Sequence, residues 1–347
     1  MKVSKLTHRT RILTVIGAAA VAALTFTACS GGGGTSGDSA DSGNDNSASG
    51  VNIVIIGGSG DPFFSTVQKG VDAATQAVEA AGGKVTYLAL KNYNNLGPDT
   101  AELEKTAIAQ NASVIAVPNW VPEAQNEQIQ AAIDKGIPVI IYNAGGWELA
   151  QELDALTYIG SDDEIAGEAA GKALVEAGSK NAVCVNTVPG AANTEARCEG
   201  LKKGMEAGGG TSTSLNLPAT SFGSPTAVTQ AIKSSLLQDD SIDGAVTIGA
   251  ADADAAAAAV EQATAGDRVK LVSFDLSTSV LDRIKGGTQF AAIDQQGYAQ
   301  GYYSVSAAFQ YVAYGIELPT KPLLTGPLVV DASNVDAALD GTKAGTR

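Results

Sequence analysis

The chain has 347 residues, 44% of them hydrophobic and 17% charged, a composition that suits one large or two medium globular domains. Its net charge of −15 comes with no Lys/Arg cluster beyond the first residues, which argues against a nucleic-acid surface. The single histidine, His8, lies in a segment read below as removable, so the mature chain cannot build a Ser-His-Asp triad, a His-ligated zinc site or a His general base. Carboxylate and lysine chemistry stay open, and no cofactor or metal is expected.

Residues 1–28 read as an export signal. Lys2, Lys5, Arg9 and Arg11 make a basic start, Ile12 to Ala28 form an apolar run, and the small residues Thr27 and Ala28 precede Cys29. A cysteine in that place resembles a bacterial lipobox, with Cys29 becoming the lipidated first residue, although Phe26 stands where aliphatic residues are commoner. A plain signal peptide and a membrane span are the alternatives, and the run is short for a span. Residues 29–50 are rich in Gly, Ser, Asp and Asn without apolar periodicity, as a flexible tether would be.

From Val51 the chain alternates strands and helices. VNIVIIG is a near-continuous apolar run, expected of a parallel strand covered on both faces. Gly57, Gly58 and Gly60 let the chain turn at its carboxyl end, where open α/β sheets place their ligands. Asp61, Pro62, Phe63 and Phe64 then carry one polar group and two rings into that crevice. Further strands are expected at 84–90, 113–117, 137–142, 156–160, 181–187, 211–217, 244–248, 269–274 and 289–293, with helices between most of them. Such alternation argues for parallel sheets with right-handed crossovers, and ten strands favour two sheets, hence two lobes. An internal echo agrees: 84–143 and 211–275 both read strand, loop, helix, strand, helix, strand, ending on Asn143 and Asp275.

Gly58-Ser59-Gly60 does not make a nucleotide site. The dinucleotide fingerprint would need glycine at Phe63, and the Gly-Lys-Ser/Thr of a P-loop is absent. Phe63 and Phe64 suit the C–H face of a sugar, with core packing as the alternative. Asp61, Asn143, Arg197, Asp275 and Gln295 fall mostly at strand-to-helix junctions and offer the acceptors and the rigid donor fork that a neutral polyhydroxylated ligand needs. Each taken alone reads equally as a cap or turn residue. Trp120 and Trp147 also follow strand ends, where either shields the cleft or simply packs. Residues 290–304 combine a strand, two amides and a Gly/Tyr-rich helix start, suited to a hinge or to an edge strand. With Cys29 lipidated, Cys184 and Cys198 remain as an even pair in an exported protein; a bridge is expected, with two buried thiols as the alternative.

DPFF followed by KG, GIPVIIYNAG, YIGSDDEIAGEAAGKAL, NTEARCEGLKKGM, VKLVSFD and AAIDQQGYAQGYY together resemble the ribose/galactose-type periplasmic binding proteins, the substrate-binding lipoproteins of bacterial sugar ABC transporters. The resemblance covers about residues 51–330. It implies an α/β fold of two similar doubly wound parallel-sheet lobes joined by a multi-strand hinge, the type I periplasmic binding protein fold. The lobes would be 51–161 plus 296–324 and 162–295 plus 325–347. Asp61, Phe63, Phe64, Asn143, Arg197, Phe222, Asp275 and Gln295 take over the family's ligand positions. Departures are plain: Asn143 replaces an Asp, Ala144 replaces an Arg, and GAADAD stands where the family commonly has Asn-Asp, so that Asp252 or Asp254 is a weak substitute.

The resemblance implies a monomeric, non-enzymatic receptor for a monosaccharide or polyol. It would be lipid-anchored outside the bacterial cell membrane and deliver its ligand to the membrane subunits of an ABC permease. A receptor that signals to a sensor kinase or chemoreceptor is the alternative. A repressor of the same fold would need a DNA-binding helix-turn-helix where residues 1–50 are signal and tether, and a glycosidase would need a carboxylate pair that the sequence does not display.

Overall fold

In the computed structural model, which describes residues 48–347, β1 (Asn52–Gly57) is buried on both faces from Ile53 onward. It pairs in parallel with β2 (Lys84–Ala89), Asn52 opposite Lys84 and Gly57 opposite Ala89. Between them runs α1 (Pro62–Ala80). Asp61 caps it by accepting the Phe64 N–H at 3.0 Å, and Pro62 takes the first helical position, where no N–H is needed. The export signal, Cys29 and most of the tether lie outside the described residues.

The same order is built twice. The first sheet runs β11-β5-β4-β3-β1-β2, with β3 (Val114–Val117), β4 (Val139–Tyr142), β5 (Tyr158–Ser161) and β11 (Leu323–Gly326). The second runs β12-β10-β9-β8-β6-β7, with β6 (Asn181–Asn186), β7 (Thr211–Asn216), β8 (Gly244–Thr247), β9 (Lys270–Phe274), β10 (Ala291–Asp294) and β12 (Leu328–Asp331). Helices α2 (Leu96–Ala109), α3 (Pro122–Asp134) and α4 (Gly146–Glu152) complete the first crossovers. The second lobe uses α5 (Asp163–Glu176), α6 (Ala192–Ala207), α7 (Pro225–Gln238), α8 (Ala250–Gln262) and α9 (Thr278–Gly286). β6 to β10 thus replay β1 to β5, and the molecule is two doubly wound lobes of one design.

All ten strands read from the sequence are present, with ends moved by no more than two residues. β11 and β12 are additional. Both are short and partly exposed, and they meet at Gly326-Pro327, so neither carries the buried apolar run that marks the central strands. β12 pairs antiparallel with β10 because the chain returns directly from the first sheet, without a crossover helix.

The backbone passes between sheets three times: from β5 into α5, from β10 into α10 (Gly297–Tyr314), and from β11 to β12. α10 returns to the first lobe and packs on α1, while α11 (Val335–Ala344) packs on α9 in the second. The three passages touch one another. A side chain at Gly326 would meet Ser161 Oγ at 2.7 Å and the Asp294 carbonyl at 2.8 Å, so only glycine fits there. In the second lobe α5 and α6 are in backbone contact. A Cβ at Gly200 would stand 2.0 Å from the Glu164 carbonyl, and one at Gly167 2.2 Å from the Arg197 carbonyl. The repeated glycines of EIAGEAAGKAL and EGLKKGM are therefore a packing requirement that draws α6 close against α5.

Cys184 of β6 and Cys198 of α6 are joined by a disulfide, with Cα atoms 5.6 Å apart and a sequence separation of 14. Closing a loop of that length stabilises the chain by about 3 kcal/mol on the chain-entropy estimate. The bridge fixes the second turn of α6 to the central sheet, beside Arg197.

Candidate functional site

Asn143 and Asp275 follow equivalent strands, β4 and β9, and both have left-handed backbone, φ 62° and 66°. Asn and Asp tolerate that region better than other side chains, which is one reason these types stand there. The bend turns each side chain back over the carboxyl end of its sheet. The two ends face each other, and between them lies one cavity of about 70 Å³, several times the room one water needs. Asp61, Phe63, Phe64, Asn143, Arg197, Phe222, Asp275 and Gln295, the eight positions singled out in the sequence, all line it.

Arg197 organises the polar part. Its Nε donates to Asp163 Oδ1 at 2.9 Å, Nη1 to the Ile248 carbonyl at 2.8 Å and Nη2 to Gln295 Oε1 at 2.6 Å. The guanidinium lies 4.5 Å from the centre of the Phe274 ring. Three of its five N–H donors are engaged in this way. Gln295 passes the chain on, its Nε2 donating to Asp275 Oδ1 at 2.6 Å. Its carbonyl accepts from Gln300 Nε2 at 3.1 Å and Thr325 Oγ1 at 2.8 Å. Gln295 thus joins side chains of the second lobe to α10 and β11 of the first, at the hinge itself. Asn143 enters the same network, its Nδ2 donating to Gln300 Oε1 at 3.3 Å, while its Oδ1 is buried with no partner.

Burial sets the charges. Asp275 is pushed up to about 7 by desolvation, against the pull of Arg197 and the Gln295 hydrogen bond. Asp163 is raised to about 6 for the same reason, with Arg197 opposing. Asp61 is also raised by burial. It is held partly down by the hydroxyl of Tyr93, which donates to Oδ2, and by the Phe64 N–H on Oδ1.

The aromatic side is continuous. Phe63 and Phe64 meet edge to face at 5.2 Å, Phe64 and Trp120 at 5.6 Å, and Tyr93 and Phe222 at 4.8 Å. The last contact joins the lobes, as does the Ala192 N–H donating to the Trp120 carbonyl at 2.7 Å. Trp120 faces the cavity, whereas Trp147 packs on the far side of the first sheet and borders a separate groove. Asp252 and Asp254 do not line the cavity. Asp252 accepts from Thr187 Oγ1 at 2.5 Å, and Asp254 pairs with Arg283 at the surface.

Tyr93, Asn193, Asp163 and Gln300 escaped sequence reasoning. Tyr93 follows β2 as Phe63 follows β1, so its place after a strand end was the available signal. Asp163 and Gln300 reach the site only through partners 34 and 157 residues away, Arg197 and Asn143.

Residues 52–316 match the periplasmic binding protein domain family. The chain belongs to that family. Among solved structures, this family member is 32% identical to a carbohydrate transporter from Acidothermus cellulolyticus in complex with myo-inositol. The match has a TM-score of 0.77 and covers 86% of this chain and 99% of that one. It is 20% identical to a glucose-galactose binding protein from Geobacillus stearothermophilus, with a TM-score of 0.72 and coverage of 82% and 98%. The xylose/arabinose-binding protein of Sulfolobus acidocaldarius is 24% identical over 299 residues, 80% of this chain and 70% of that protein. The periplasmic binding protein fold, two parallel-sheet lobes with a cleft between, is the architecture described above.

Proposed function

We propose that this periplasmic binding protein captures a monosaccharide or sugar alcohol, cyclic or open, in the inter-lobe cavity and hands it unchanged to a membrane permease. The observation that carries the reading is a cavity between the lobes lined both by aromatic rings and by an incompletely satisfied polar network. The buried oxygens Asn143 Oδ1 and Asn193 Oδ1 lack a hydrogen-bond donor. Two N–H groups of Arg197 and one oxygen of Asp275 lie beyond the hydrogen bonds described above. Hydroxyl groups both donate and accept, so a polyol completes all of these at once. The myo-inositol bound by the 32%-identical carbohydrate transporter supports that class.

The chain's own residues supply capture in three steps. Asn143 and the rings of the first lobe take a ligand in the open cleft. Closure about the passages at Ser161, Gln295 and Gly326 brings Arg197 and Asp275 onto its other edge. The Tyr93–Phe222 contact and the Ala192–Trp120 hydrogen bond then shut out water. Because buried polar groups left without partners are costly, only a matching hydroxyl pattern keeps the lobes closed. The closed pair of lobes is the surface a permease would read. Cys29, lipidated after export, would hold the protein outside the cell membrane, with residues 29–50 as its leash.

A thermal-shift screen against pentoses, hexoses, ketoses and polyols tests the proposal. One or two related compounds should raise the melting temperature by mass action. No shift with any of them, or turnover of a bound sugar by mass spectrometry, contradicts it.

A further inference from the structure

The loop after β3, Pro118 to Val121, is held by side chains that do not line the cavity. Gln125 of α3 is fully buried and grips both ends of the loop. Its Oε1 accepts the Val121 N–H at 2.9 Å, and its Nε2 donates to the Pro118 carbonyl at 2.9 Å. The second hydrogen of Nε2 goes to Glu104 Oε1 of α2 at 2.9 Å, and Glu104 is buried as well. Gly97 lets α2 come this close, since a side chain there would meet Ala124 Cβ at 2.7 Å.

Between the gripped ends stand Asn119 and Trp120. The Asn119 N–H donates to the Ala144 carbonyl at 3.1 Å, next to the left-handed bend at Asn143, and its side chain donates to Asn126 Oδ1 at 2.7 Å. Trp120 faces the cavity, meets Phe64 and Tyr93 edge to face, and offers its carbonyl to the Ala192 N–H of the second lobe. One short loop therefore supplies both a wall of the cavity and a hydrogen bond across the cleft. A buried amide is costly unless its polar atoms are used, and those of Gln125 are used on the backbone of this loop. The backbone also fixes which way the amide points, because an N–H can face only its oxygen and a carbonyl only its NH2 group.

We infer that Gln125, anchored by Glu104, is a positioning residue for ligand binding: it sets the 118–121 loop so that Trp120 meets the ligand with its ring and the second lobe with its carbonyl. The inference rests on the sugar-capture reading above and adds to it two residues that lie outside the cavity. Without the amide, the Pro118 carbonyl and the Val121 N–H lose their partner, and groups so stranded are driven to find water. The loop then shifts, and Trp120 leaves the place from which it serves both lobes.

Trp120 and Trp147 are the two tryptophans of the chain, so Trp147→Phe leaves Trp120 as the reporter. In that background Gln125→Met, unbranched like glutamine but without the amide, should shift the Trp120 emission to the red in the ligand-free protein. Titration calorimetry on the full chain uses myo-inositol, D-xylose, L-arabinose, D-glucose and D-galactose. Any of them that binds the wild type should bind Gln125→Met about tenfold more weakly. Added to Trp120→Ala, the same change should cost little further affinity, because it acts through Trp120. Glu104→Gln, whose amide oxygen still accepts from Gln125, should leave emission and affinity as they are. Glu104→Leu should move both as Gln125→Met does, and it gives the answer should Gln125→Met fail to fold. Unchanged emission, unchanged affinity, or a loss that adds in full to that of Trp120→Ala overturns the inference while the sugar-capture reading stands. If no compound binds the wild type, the sugar-capture reading falls and takes the inference with it.

Discussion

Arg197 holds together groups that would otherwise be expensive to bury. Its removal would strand Asp163 as an unpaired carboxylate in the interior, a change that typically costs 3–5 kcal/mol. Lysine keeps the charge but not the planar fork, so it cannot reach Asp163, Gln295 and the Ile248 carbonyl together. Asp275 gives the site a pH dependence. Burial raises it to about 7, and a ligand hydroxyl donating to its carboxylate favours the ionised form. Affinity should therefore fall as pH drops through 7, by up to about tenfold between pH 8 and pH 6 by linkage. Asp275→Asn should flatten the profile; a wild-type affinity that is level or rises on acidification would contradict the assignment.

At the scale of elements, the contact of α5 with α6 sets the place of Arg197. Gly200 and Gly167 allow the two backbones to touch, and the Cys184–Cys198 bridge ties α6 to β6 on its other side. Gly200→Ala would drive a methyl group to 2.0 Å from the Glu164 carbonyl, and backbone cannot yield as a flexible side chain can. The helices must separate, at a cost of about 1–3 kcal/mol. Urea unfolding should show that loss together with weaker ligand binding, since Arg197 and Asp163 stand on the separated helices. Unchanged stability would mean that the contact is looser than described.

Most strands were legible in the sequence as buried apolar runs. Eight of the ten strands carry such runs, and the more exposed edge strands β2 and β7 were legible from the alternation of strand and helix; β11 and β12, short, half-exposed and bounded by Pro322 and Pro327, were not. Asn143 and Asp275 were legible as polar ends of apolar strands. The left-handed bend that aims them was not, because nothing local in the sequence distinguishes it from an ordinary turn. Tyr93 hid among asparagines in a loop, and Asp163 among four acidic residues of which the fold buries one against Arg197. Asp252 was plausible by position alone; α8 turns it toward Thr187 instead.

For the whole molecule, several carboxyl groups are buried with folded values above their unfolded ones. Glu104 rises to about 8, Asp275 to about 7, and Asp163 and Asp252 to about 6, each chiefly by desolvation. A raised carboxyl costs nothing below its unfolded value and its full penalty above its folded one. Stability of the ligand-free protein should therefore rise as pH falls from about 8 to about 5, opposite in direction to ligand affinity. Urea midpoints across that range check the trend. Glu104→Gln should remove the part nearest pH 8, because Gln125, its hydrogen-bond partner at 2.9 Å, can still donate to the amide oxygen. A midpoint that falls on acidification would contradict the burial of these groups.

The central claim is that ligand is held between the lobes by groups from both. Titration calorimetry with a ligand found in the thermal-shift screen, on wild type, Phe63→Ala and Arg197→Lys, tests it most directly. Phe63 belongs to the first lobe and Arg197 to the second. Each variant should remain folded and bind at least about tenfold more weakly, a loss of roughly 1.4 kcal/mol. Unchanged affinity in both would place the binding site elsewhere on the molecule.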